Sequence, residues 1–443
     1  MTEEHTSYEG RWFRGGERCR VIGVLDDGPA SLSPAALAHL RAAHCVIGGQ
    51  RTLALFEAQI APAARRLDLG GRLSKVPDWV RESQAAGQRC VVLASGDPLC
   101  FGIAGYLASR LCIDALEVLP NLSSVQIACA RLGLSWQEMK LASVHSADAG
   151  EWEEGADGRH GLYALLQTLR QHDRVAVLTS PDNSPDRIAR MLLAEGMGED
   201  FLVAVAESLN QPGERVHAEL SLSEVAARRF AALNVMLLWR SRLRERALLL
   251  GRSDADYEQR HPDKGLITKL EVRAVSLARL QLREHSIVWD IGAGSGAVGL
   301  EAARLCRDGH VYAIEKNEED RAIAQRNRRR LGLSNYSVQL GRAPQGLQAW
   351  PDPDAVFIGG SGGELEDLIA LVLRRLRPSG WLVMNFVTLE NLTTAVETLK
   401  AAGAAWDTLQ LQASRSKPIL HMHRMAAENP VWLVCAQRGE GAA

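Results

Sequence analysis

The sequence lacks the features that mark membrane, secreted and nucleic-acid-binding proteins. Lys and Arg number 51 against 53 Asp and Glu, a formal net charge of -2, so no excess of positive charge indicates a nucleic-acid or membrane-surface partner. No apolar run is long enough to span a bilayer, and the amino-terminal residues are polar without an apolar signal core. We therefore expect a cytoplasmic protein with no nucleic-acid and no membrane partner.

Cysteine pairs at the spacing of metal or redox sites are also missing. The eight cysteines show no C-x-x-C spacing, and most of them lie in apolar runs. This pattern is typical of buried thiols in a reducing compartment. His421 and His423 stand close together without a third ligand nearby, so we predict no metal site.

The chain does contain enough apolar residues for more than one domain. With 443 residues, of which 46% are hydrophobic, two or three domains are expected. Apolar runs alternate with helical patterns throughout, which predicts an α/β protein. We interpret 1–17 as a polar tail and the charge-rich stretch 241–264 as a linker, so the predicted domains are 18–240 and 265–443.

One glycine turn organises the second half. An apolar strand ends in Asp290, and Gly292, Gly294 and Gly296 follow before a helical pattern begins. Glycine lets the backbone adopt positive φ and approach a ligand closely, and a helix start adds free N–H groups and a positive dipole end. The next strand ends in Glu315, at the position where an acid binds a ribose diol. The pattern predicts a nucleotide-type cofactor site.

Two cofactor classes use such a turn, and the acid in front of it favours one of them. Dinucleotide folds seat a pyrophosphate over G-x-G-x-x-G, whereas the spacing here is G-x-G-x-G and Asp290 would repel a pyrophosphate. A carboxylate suits a cationic cofactor, so the turn favours S-adenosylmethionine over a nicotinamide. A dehydrogenase is the weakest alternative, and a strand–helix turn without a ligand also stays open.

The strand–helix pairs of the second half predict a Rossmann-like sheet of about seven strands, closed by an antiparallel pair at 408–411 and 431–435. A glycine cluster, 359–363, follows the fourth strand. Enzymes that methylate nitrogen need polar acceptors there, and base methylases that use a cysteine need that thiol, but the sequence has neither. The cluster suggests room for a broad, flat substrate with a nucleophilic carbon, and a loop without a ligand is the alternative.

The first half has polar turns of its own. Gly96 and Asp97 follow a buried strand, and we expect Pro98 to open the next helix. Ligands of open α/β sheets lie at the carboxyl ends of strands, so this turn is placed to contact one, with a plain turn as the alternative. Ser123 and Ser124 follow another strand, and either could cap a helix or offer its hydroxyl to a ligand.

These motifs carry a resemblance to known families. The second half resembles the decarboxylating precorrin C15-methyltransferases of cobalamin biosynthesis in the segments 267–273, 290–296, 313–317, 357–363 and 383–385. The first half resembles the tetrapyrrole C-methylases, and among them the precorrin C5 members, in the segments 93–102, 120–133 and 178–193. Together the halves resemble the fused precorrin-6Y C5,15-methyltransferase (decarboxylating) family over nearly the whole chain. One departure is the stretch 23–29, where the tetrapyrrole methylases usually carry Gly-x-Gly-Pro-Gly.

The resemblance implies a fold and a reaction. The fold would be an N-terminal tetrapyrrole methylase of two subdomains followed by a Rossmann-like seven-stranded methyltransferase, each with one S-adenosylmethionine. The reaction would methylate carbons 5 and 15 of a precorrin ring and remove the carboxyl group of the ring C acetate. The substrate would be precorrin-6B or its cobalt form. Both families tend to self-associate, so we expect a homo-oligomer.

The motifs and the resemblance together predict the site residues. Those expected to bind the cofactor in the first domain are Gly96, Asp97, Pro98, Leu99, Ser123 and Ser124. Those expected in the second domain are Thr268, which we predict to cap a helix, and Asp290, Gly292, Ala293, Gly294, Gly296, Glu315, Lys316, Arg342, Ala343, Gly359 and Gly360.

The substrate's carboxylates call for basic partners. Candidates are Lys269, Arg273, Arg342, Arg415 and Lys417. His421 and His423 lie in a segment, 414–429, that we interpret as a loop, and either could shuttle a proton, with Lys269 as the third candidate catalytic residue. A solvated loop with no such role is the alternative.

Two other functions stay open. The arginine-rich helix at 326–330 would serve an RNA methyltransferase, but the overall charge and the missing nitrogen-binding motif argue against one, and a solvated helix face is the simpler interpretation. A non-catalytic S-adenosylmethionine sensor would bind the cofactor without turnover. Two cofactor-type sites in one chain favour an enzyme.

Overall fold

A computed structural model of the chain describes residues 17–241, 248–260 and 267–438. By their contacts the described residues form two compact units. The first unit holds 17–146, 174–186 and 202–239, and the second unit holds 147–173, 187–201 and the described residues from 240 to 438. Residues 1–16 of the predicted tail lie outside the described residues, and so do 242–247 and 261–264 of the predicted linker. The predicted domain boundaries stay predictions. Within the described residues, no helix combines the length and apolar character needed to cross a membrane.

The first unit begins with a parallel sheet of five strands. These are β1 (Cys19–Val24), β2 (Cys45–Gly48), β3 (Arg65–Asp68), β4 (Cys90–Ser95) and β5 (Leu116–Leu119), in the order β3-β2-β4-β1-β5. The helices are α1 (Pro34–Arg41), α2 (Gln50–Leu55), α3 (Val76–Ala85), α4 (Ile103–Arg110) and α5 (Ser124–Leu132). A parallel sheet buries both of its faces, which explains the unbroken apolar runs. Along β4, Val91 and Leu93 join one core cluster, whereas Cys90 and Val92 join another.

A second sheet of five strands mixes parallel and antiparallel pairs. Its strands are β6 (Lys140–Ser143), β7 (Arg174–Leu178), β8 (Phe201–Glu207), β9 (Arg215–Ser221) and β10 (Asn234–Arg240), in the order β6-β7-β10-β8-β9. β6 and β7 run parallel, whereas β7 pairs antiparallel with β10 and β8 pairs antiparallel with β9. The helices of this stretch of chain are α6 (Tyr163–Gln171), α7 (Pro185–Ala194) and α8 (Leu222–Ala226).

The second unit contains a sheet of seven strands, as the sequence predicts. The elements up to the fourth strand are α9 (Leu270–Arg279), β11 (Ile287–Ile291), α10 (Ala297–Leu305), β12 (His310–Glu315), α11 (Glu318–Arg330), β13 (Tyr336–Leu340) and β14 (Ala355–Ile358). The remainder are α12 (Leu365–Arg375), β15 (Trp381–Phe386), α13 (Leu389–Ala401), β16 (Ala405–Leu411), β17 (Ser414–Ile419), β18 (Met422–Ala427) and β19 (Val431–Gln437).

The order of this sheet is β13-β12-β11-β14-β15-β19-β16. The five strands from β13 to β15 run parallel, and β19 pairs antiparallel with both β15 and β16, so the predicted antiparallel closing pair is confirmed. Trp289 and Ile291 of β11 pack on one face of the sheet, whereas Val288 packs in a different cluster. The alternation follows from the two-residue period of a strand whose faces are both buried.

Three local predictions are wrong. The stretch 414–429 is not a loop, because β17 and β18 pair as a two-stranded hairpin. Thr268 does not cap a helix, since Lys269 is the N-cap residue of α9 and makes no side-chain cap bond. Pro98 lies in a turn, and the next helix begins only at Ile103, after Gly102 as N-cap.

Candidate functional site

The second unit has a pocket where its strand order reverses. From β11 the chain moves to β12 and β13 on one side and then to β14 on the other side, so the loops after β11 and β14 diverge. Such a point is where open α/β sheets bind ligands. The pocket is lined by residues at or after the ends of these four strands: Ile291, Gly292, Ile314, Glu315, Lys316, Gly341, Arg342, Ala343, Gly360, Ser361 and Gly362.

The glycines of the turn after β11 have different roles. Gly292 has a φ of 74°, and a Cβ there would lie 2.6 Å from the backbone oxygen of Gly360, so only glycine lets the loops after β11 and β14 approach. At Gly294, with a φ of 55°, a Cβ would meet open space, which leaves the backbone accessible to a ligand. Gly296 is the N-cap residue of α10. The turn therefore presents backbone N–H groups at the start of a helix.

Glu315 holds the glycine turn in place. Its Oε2 accepts a hydrogen bond from the Gly294 N–H at 2.8 Å, and its Oε1 accepts one from the Asn317 N–H at 2.9 Å. A carboxylate has about four acceptor positions, so two stay open to the hydroxyls of a ribose. The predicted ribose-binding acid thus also braces the loop that would contact the rest of the cofactor.

Asp290 lies beneath the turn and does not line the pocket. It is 1% exposed, and its Oδ2 accepts a hydrogen bond from the Gly299 N–H of α10 at 3.1 Å. Burial raises the pKa of Asp290 to about 7, the Gly299 N–H lowers it, and the nearby charge of Glu315 raises it. Asp290 would therefore act on a cationic cofactor through its charge rather than by direct contact.

The structure brings most of the predicted cofactor residues of the second domain together. Gly292, Glu315, Lys316, Arg342, Ala343 and Gly360 line the pocket. Ala293, Gly294 and Gly296 belong to the turn, and the Gly359 N–H donates to the carbonyl of Ile291 at 2.9 Å. Thr268 is not among the residues that line the pocket, and its carbonyl accepts a hydrogen bond from Arg273 at 2.6 Å.

Two of the predicted carboxylate partners are engaged within the protein. Arg273 is 0% exposed and pairs with Glu301 at 2.8 Å and with Asp254 at 2.9 Å, so it is a structural residue and the prediction for it is wrong. Arg415 pairs with Glu271 and Glu428. These acids come from segments distant in sequence, which the local pattern around each arginine does not reveal.

Other predicted partners remain accessible. Arg342 lines the pocket with a half-exposed side chain that donates to the Gly362 carbonyl. Lys417 on β17 and His423 on β18 are exposed, and His421 lies exposed in the turn between these strands. Lys269, at the start of α9, is half-buried. Neither histidine is among the residues that line the pocket. In the part of the chain that the structure describes, no group of three His, Cys, Asp or Glu side chains could hold a metal ion.

The arginine-rich helix α11 is not a bare basic face. Arg328 is buried and pairs with Glu154 at 2.9 Å and with Glu195 at 3.4 Å. Arg329 also pairs with Glu154, and Arg326 pairs with Glu258. The prediction of a wholly solvated face is therefore wrong for Arg328, because acids from residues before 200 pack against it. Neutralised in this way, the helix offers little charge to RNA.

In the first unit, three strand ends meet at one point. A Cβ at Gly23 in β1 would lie 2.3 Å from the Gly96 oxygen after β4 and 2.7 Å from the Asn121 nitrogen after β5, so no side chain fits there. The Asn121 Nδ2 donates to the carbonyls of Gly23 at 3.2 Å and Ser31 at 3.1 Å. Asn121 was not predicted as a site residue, because its partners are remote in sequence.

The predicted cofactor residues of the first domain surround this point. Gly96 has a φ of 69°, and a Cβ there would face the backbone of Leu122 to Ser124 at 3.5 to 3.8 Å. Ser123 caps α5 in a reciprocal capping box with Gln126, so its predicted role as a cap is confirmed, and Ser124 is the first residue of the helix. The buried Pro98 and the exposed Leu99 lie in the turn after Gly96.

Two carboxylates shape the loops around these strand ends. Asp97 accepts a hydrogen bond from the Leu99 N–H at 2.9 Å, which tightens the turn after β4. Asp26, in the altered stretch 23–29, accepts from Gln211 at 2.6 Å and pairs with Arg51 at 3.1 Å. The loop after β8 thereby contacts the loop after β1. Sequence reasoning missed Gln211, since nothing local marks it.

The class of the protein follows from these features. The second unit has the order of strands, the inserted antiparallel strand β19 and the acid-and-glycine turn of an S-adenosylmethionine-dependent methyltransferase. Each half of the chain also matches a known methyltransferase family. Residues 18–226 match the family of tetrapyrrole (corrin/porphyrin) methylases, and residues 259–437 match the precorrin methyltransferase domain.

Individual relatives cover the fused chain and each of its halves. The precorrin-6Y C(5,15)-methyltransferase [decarboxylating] of Sinorhizobium sp is 33% identical over 404 residues, which are 90% of this chain and 91% of that protein. The cobalt-precorrin-6B C(15)-methyltransferase (decarboxylating) of Salmonella typhimurium is 39% identical over 175 residues, which are 39% of this chain and 90% of that protein. The cobalt-precorrin-7 C(5)-methyltransferase of the same organism is 32% identical over 197 residues, 44% of this chain and 88% of that protein.

The chain therefore belongs to the precorrin-6Y C5,15-methyltransferase (decarboxylating) family. It is a bifunctional, S-adenosylmethionine-dependent enzyme of cobalamin biosynthesis that methylates a precorrin at carbons 5 and 15 and decarboxylates it.

Proposed function

We propose that each of the two domains binds one S-adenosylmethionine, that the precorrin methylated at carbons 5 and 15 is precorrin-6B or its cobalt form, and that the carboxyl group removed is that of the ring C acetate. The first domain, 18–240, would methylate carbon 5. The second domain, 265–443, would methylate carbon 15 and decarboxylate. The observation that carries this proposal is the pocket at the reversal of strand order, where the glycine turn, Glu315 and a cluster of glycines meet.

The glycine cluster supports carbon rather than nitrogen as the methyl acceptor. Gly360 has open space where a Cβ would stand, and Gly362 and Gly363 have φ values of 65° and 104°. A reduced tetrapyrrole is broad and flat, and its meso carbons are enamine-like and already nucleophilic. The protein then has to hold that carbon in line with the sulfonium methyl group. It accelerates methyl transfer by this alignment and needs no strong base.

The decarboxylation requires an acceptor for the electrons of the bond that breaks. The electrons of the breaking C–C bond pass into the conjugated ring as carbon dioxide leaves, and a proton then replaces the lost carboxyl group. We propose that the side chains around the pocket turn the acetate out of the ring plane. Arg342 and Lys316, both lining the pocket, suit carboxylates of the substrate. Lys269, His421 and His423 stay the candidates for supplying the proton, and none of the three lines the pocket.

In the first domain, the meeting point of β1, β4 and β5 supports a second cofactor site. Gly96, Asp97, Pro98 and Leu99 form a tight turn next to the start of α5, where Ser123 and Ser124 lie. The positive end of a helix and closely packed backbone suit the polar tail of a cofactor. We propose that these six residues contact S-adenosylmethionine.

We also propose a homo-oligomer and a cytoplasmic location. The hairpin of β17 and β18 exposes apolar side chains, with Leu420 91% and Met425 64% exposed, and such a surface suits contact between subunits. All eight cysteines are free thiols, and six of them are buried, which supports a reducing compartment.

Mass spectrometry of the product tests the proposal. Incubating the purified chain with precorrin-6B and S-adenosylmethionine should add two methyl groups and remove one carbon dioxide. Asp290→Ala should stop methylation at carbon 15 and decarboxylation while methylation at carbon 5 continues, and Asp97→Ala should impair the methylation at carbon 5. Each variant thus serves as the control for the other. Bound cofactor with an unchanged tetrapyrrole would contradict the proposal and favour a non-catalytic sensor.

A further inference from the structure

Two buried polar atoms lie beneath the glycine turn of the second unit without a partner. Among the residues that the structure describes, neither Oδ1 of Asp290 nor the hydroxyl of Tyr336 has a hydrogen-bond partner. Both residues are buried, and Tyr336 is completely so. Buried polar groups in folded proteins are nearly always satisfied, so an unsatisfied pair next to a ligand site indicates a group that gains its partner in another state.

The two side chains converge under the start of α10. A Cβ at Gly299 would lie 2.3 Å from Oδ2 of Asp290 and 2.7 Å from Cε2 of the Tyr336 ring. A Cβ at Gly296 would lie 3.0 Å from the Tyr336 hydroxyl oxygen. Only glycines at these two positions leave room for the pair. Tyr336 is therefore part of the floor under the turn, although it belongs to β13, two strands away from Asp290.

The surroundings favour an uncharged Asp290 before a ligand arrives. From β12, Glu315 adds a negative charge, and β14 places Phe357 beside Asp290 in the sheet register. From α10, the Gly299 N–H donates to Oδ2, and from β13 the Tyr336 hydroxyl is neutral. Burial is the largest influence and raises the pKa of Asp290 to about 7.

The hydroxyl of Tyr336 stays a hydrogen-bond donor under all working conditions. Burial raises its pKa well above the ordinary value, and the charges of Asp290 and Glu315 raise it further, whereas Arg328 of α11 lowers it. A neutral phenol next to a carboxylate can donate its proton in a hydrogen bond, which stabilises the ionised form of that carboxylate.

We propose that Asp290 and Tyr336 form a proton-linked pair: Asp290 carries a proton in the cofactor-free protein and releases it when a cationic cofactor binds at the glycine turn. This inference rests on the proposed function, since it requires the second domain to bind S-adenosylmethionine. One proton leaves the carboxyl group for solvent, and the O–H bond of Asp290 is the one covalent bond that breaks. The Tyr336 hydroxyl then donates to the ionised Oδ1. Tyr336 is thus a positioning residue for the charge of Asp290.

The pair makes cofactor binding depend on pH in a defined direction. A group that is protonated in the free protein and ionised in the complex weakens binding as pH falls. Below about pH 7, the affinity of the second site should drop about tenfold per pH unit, down to the lower pKa of Asp290 in the complex. Above that pH the affinity should be nearly constant, because Asp290 is already ionised.

Isothermal titration calorimetry of the full chain with S-adenosylmethionine tests the proposal. Titrations in two buffers of different ionisation enthalpy count the protons released. The matched variant is Asp290→Asn, which has nearly the same shape and keeps an oxygen for the Gly299 N–H but cannot ionise. At about pH 6, one unit below the pKa of Asp290 in the free protein, the wild type should release close to one proton more per chain than the variant, and the difference should disappear at about pH 8.5. The first site and the cofactor's own amino group are common to both proteins and cancel.

Tyr336→Phe tests the second member of the pair. It keeps the ring and removes the hydroxyl, so the ionised carboxylate loses a donor in the free protein and in the complex alike, and the pKa of Asp290 should rise. The affinity at about pH 6 should therefore fall by about tenfold, as expected for one hydrogen bond to a charge, whereas the affinity at about pH 8.5 should hardly change. The control is Tyr312→Phe on β12. The Tyr312 hydroxyl donates to Asp157 at 3.2 Å, so its loss should leave the affinity at about pH 6 unchanged.

The outcomes separate the inference from the function on which it rests. Equal proton release by the wild type and Asp290→Asn, with the second site occupied in the wild type, overturns the proton-linked pair. An unchanged affinity of Tyr336→Phe at about pH 6 overturns the role of the tyrosine. Binding of only one cofactor per chain at about pH 8.5, with methylation at carbon 15 absent, would instead refute the proposed function of the second domain.

Discussion

The two candidate cofactor sites of this chain use different physical means at comparable places. In the first unit, polar side chains at the strand ends have hydrogen-bond partners. Asn121 donates to two carbonyls, Ser123 caps a helix, and Asp97 accepts a hydrogen bond within its own turn. In the second unit, Asp290 and Tyr336 are buried beneath the turn with unsatisfied polar atoms. One site thus depends on the shape of the backbone, whereas the other adds a buried charge that responds to its ligand.

A glycine can be required at a site for two different reasons. Gly23 and Gly292 are required because backbone from another strand end lies within 2.3 and 2.6 Å of where a Cβ would be. Gly299 is required because the carboxylate of Asp290 occupies that place. At Gly23 and Gly292, the absence of a side chain lets two loops pack together and form a site. At Gly299, it leaves room for the Asp290 carboxylate beneath the glycine turn.

The largest expected effect comes from Gly292→Ala. The added methyl group would collide with the Gly360 backbone at a residue with a φ of 74°, so the loops after β11 and β14 must separate. We expect methylation at carbon 15 and decarboxylation to fall by roughly hundredfold or more, corresponding to about 3 kcal/mol of strain, with methylation at carbon 5 unchanged. Product mass spectrometry measures both activities.

Gly23→Ala is the reciprocal control, since it should impair carbon 5 and spare carbon 15. Gly294→Ala controls for positive φ alone, because its Cβ would meet open space, and its effect should be much smaller than that of Gly292→Ala. If Gly292→Ala abolished both methylations equally, the two cofactor sites would not act independently of each other.

The next effect concerns stability rather than chemistry. Arg273→Met removes one member of a buried ion network and leaves Glu301 and Asp254 without their partner. Breaking such a pair typically costs about 3–5 kcal/mol, so thermal or denaturant unfolding of the second domain should occur at distinctly lower temperature or urea concentration.

Arg342→Met is the matched control, because Arg342 is half-exposed and lines the pocket. It should leave unfolding unchanged and raise the KM for the tetrapyrrole. A raised KM with unaltered stability in Arg273→Met would contradict the structural role and restore the arginine as a substrate partner.

The smallest effect should come from Ser123→Ala in the first unit. Loss of the N-cap of α5 should destabilise the first domain by about 1 kcal/mol, measured by urea unfolding. Ser124→Ala is the control, since Ser124 lies inside the helix and makes no cap bond. If Ser124→Ala lowered the affinity for S-adenosylmethionine without changing stability, the two serines would divide capping and binding between them.

Local patterns account for much of the fold and part of each site. The glycine turn after β11, the acid ending β12 and the glycine cluster after β14 could all be located, and they do meet at one pocket. Ser123 could be identified as a cap because capping depends on residues three apart. The hairpin of β17 and β18 could not be identified as strands, because its exposed residues, polar and apolar alike, lack the apolar alternation that marks a half-buried strand.

The amino-acid sequence alone predicts the α/β class, the family and the positions of the two candidate cofactor turns, since these depend on periodicity and on neighbouring residues. Which charges are free in the folded protein is visible only in the three-dimensional structure. Arg273 and Arg328 look like surface cations but are buried against acids distant in the chain, and Asp290 looks like a ligand contact but lies under the turn beside Tyr336. The physical reason is that burial and ion pairing depend on residues brought together by packing, which no local pattern contains.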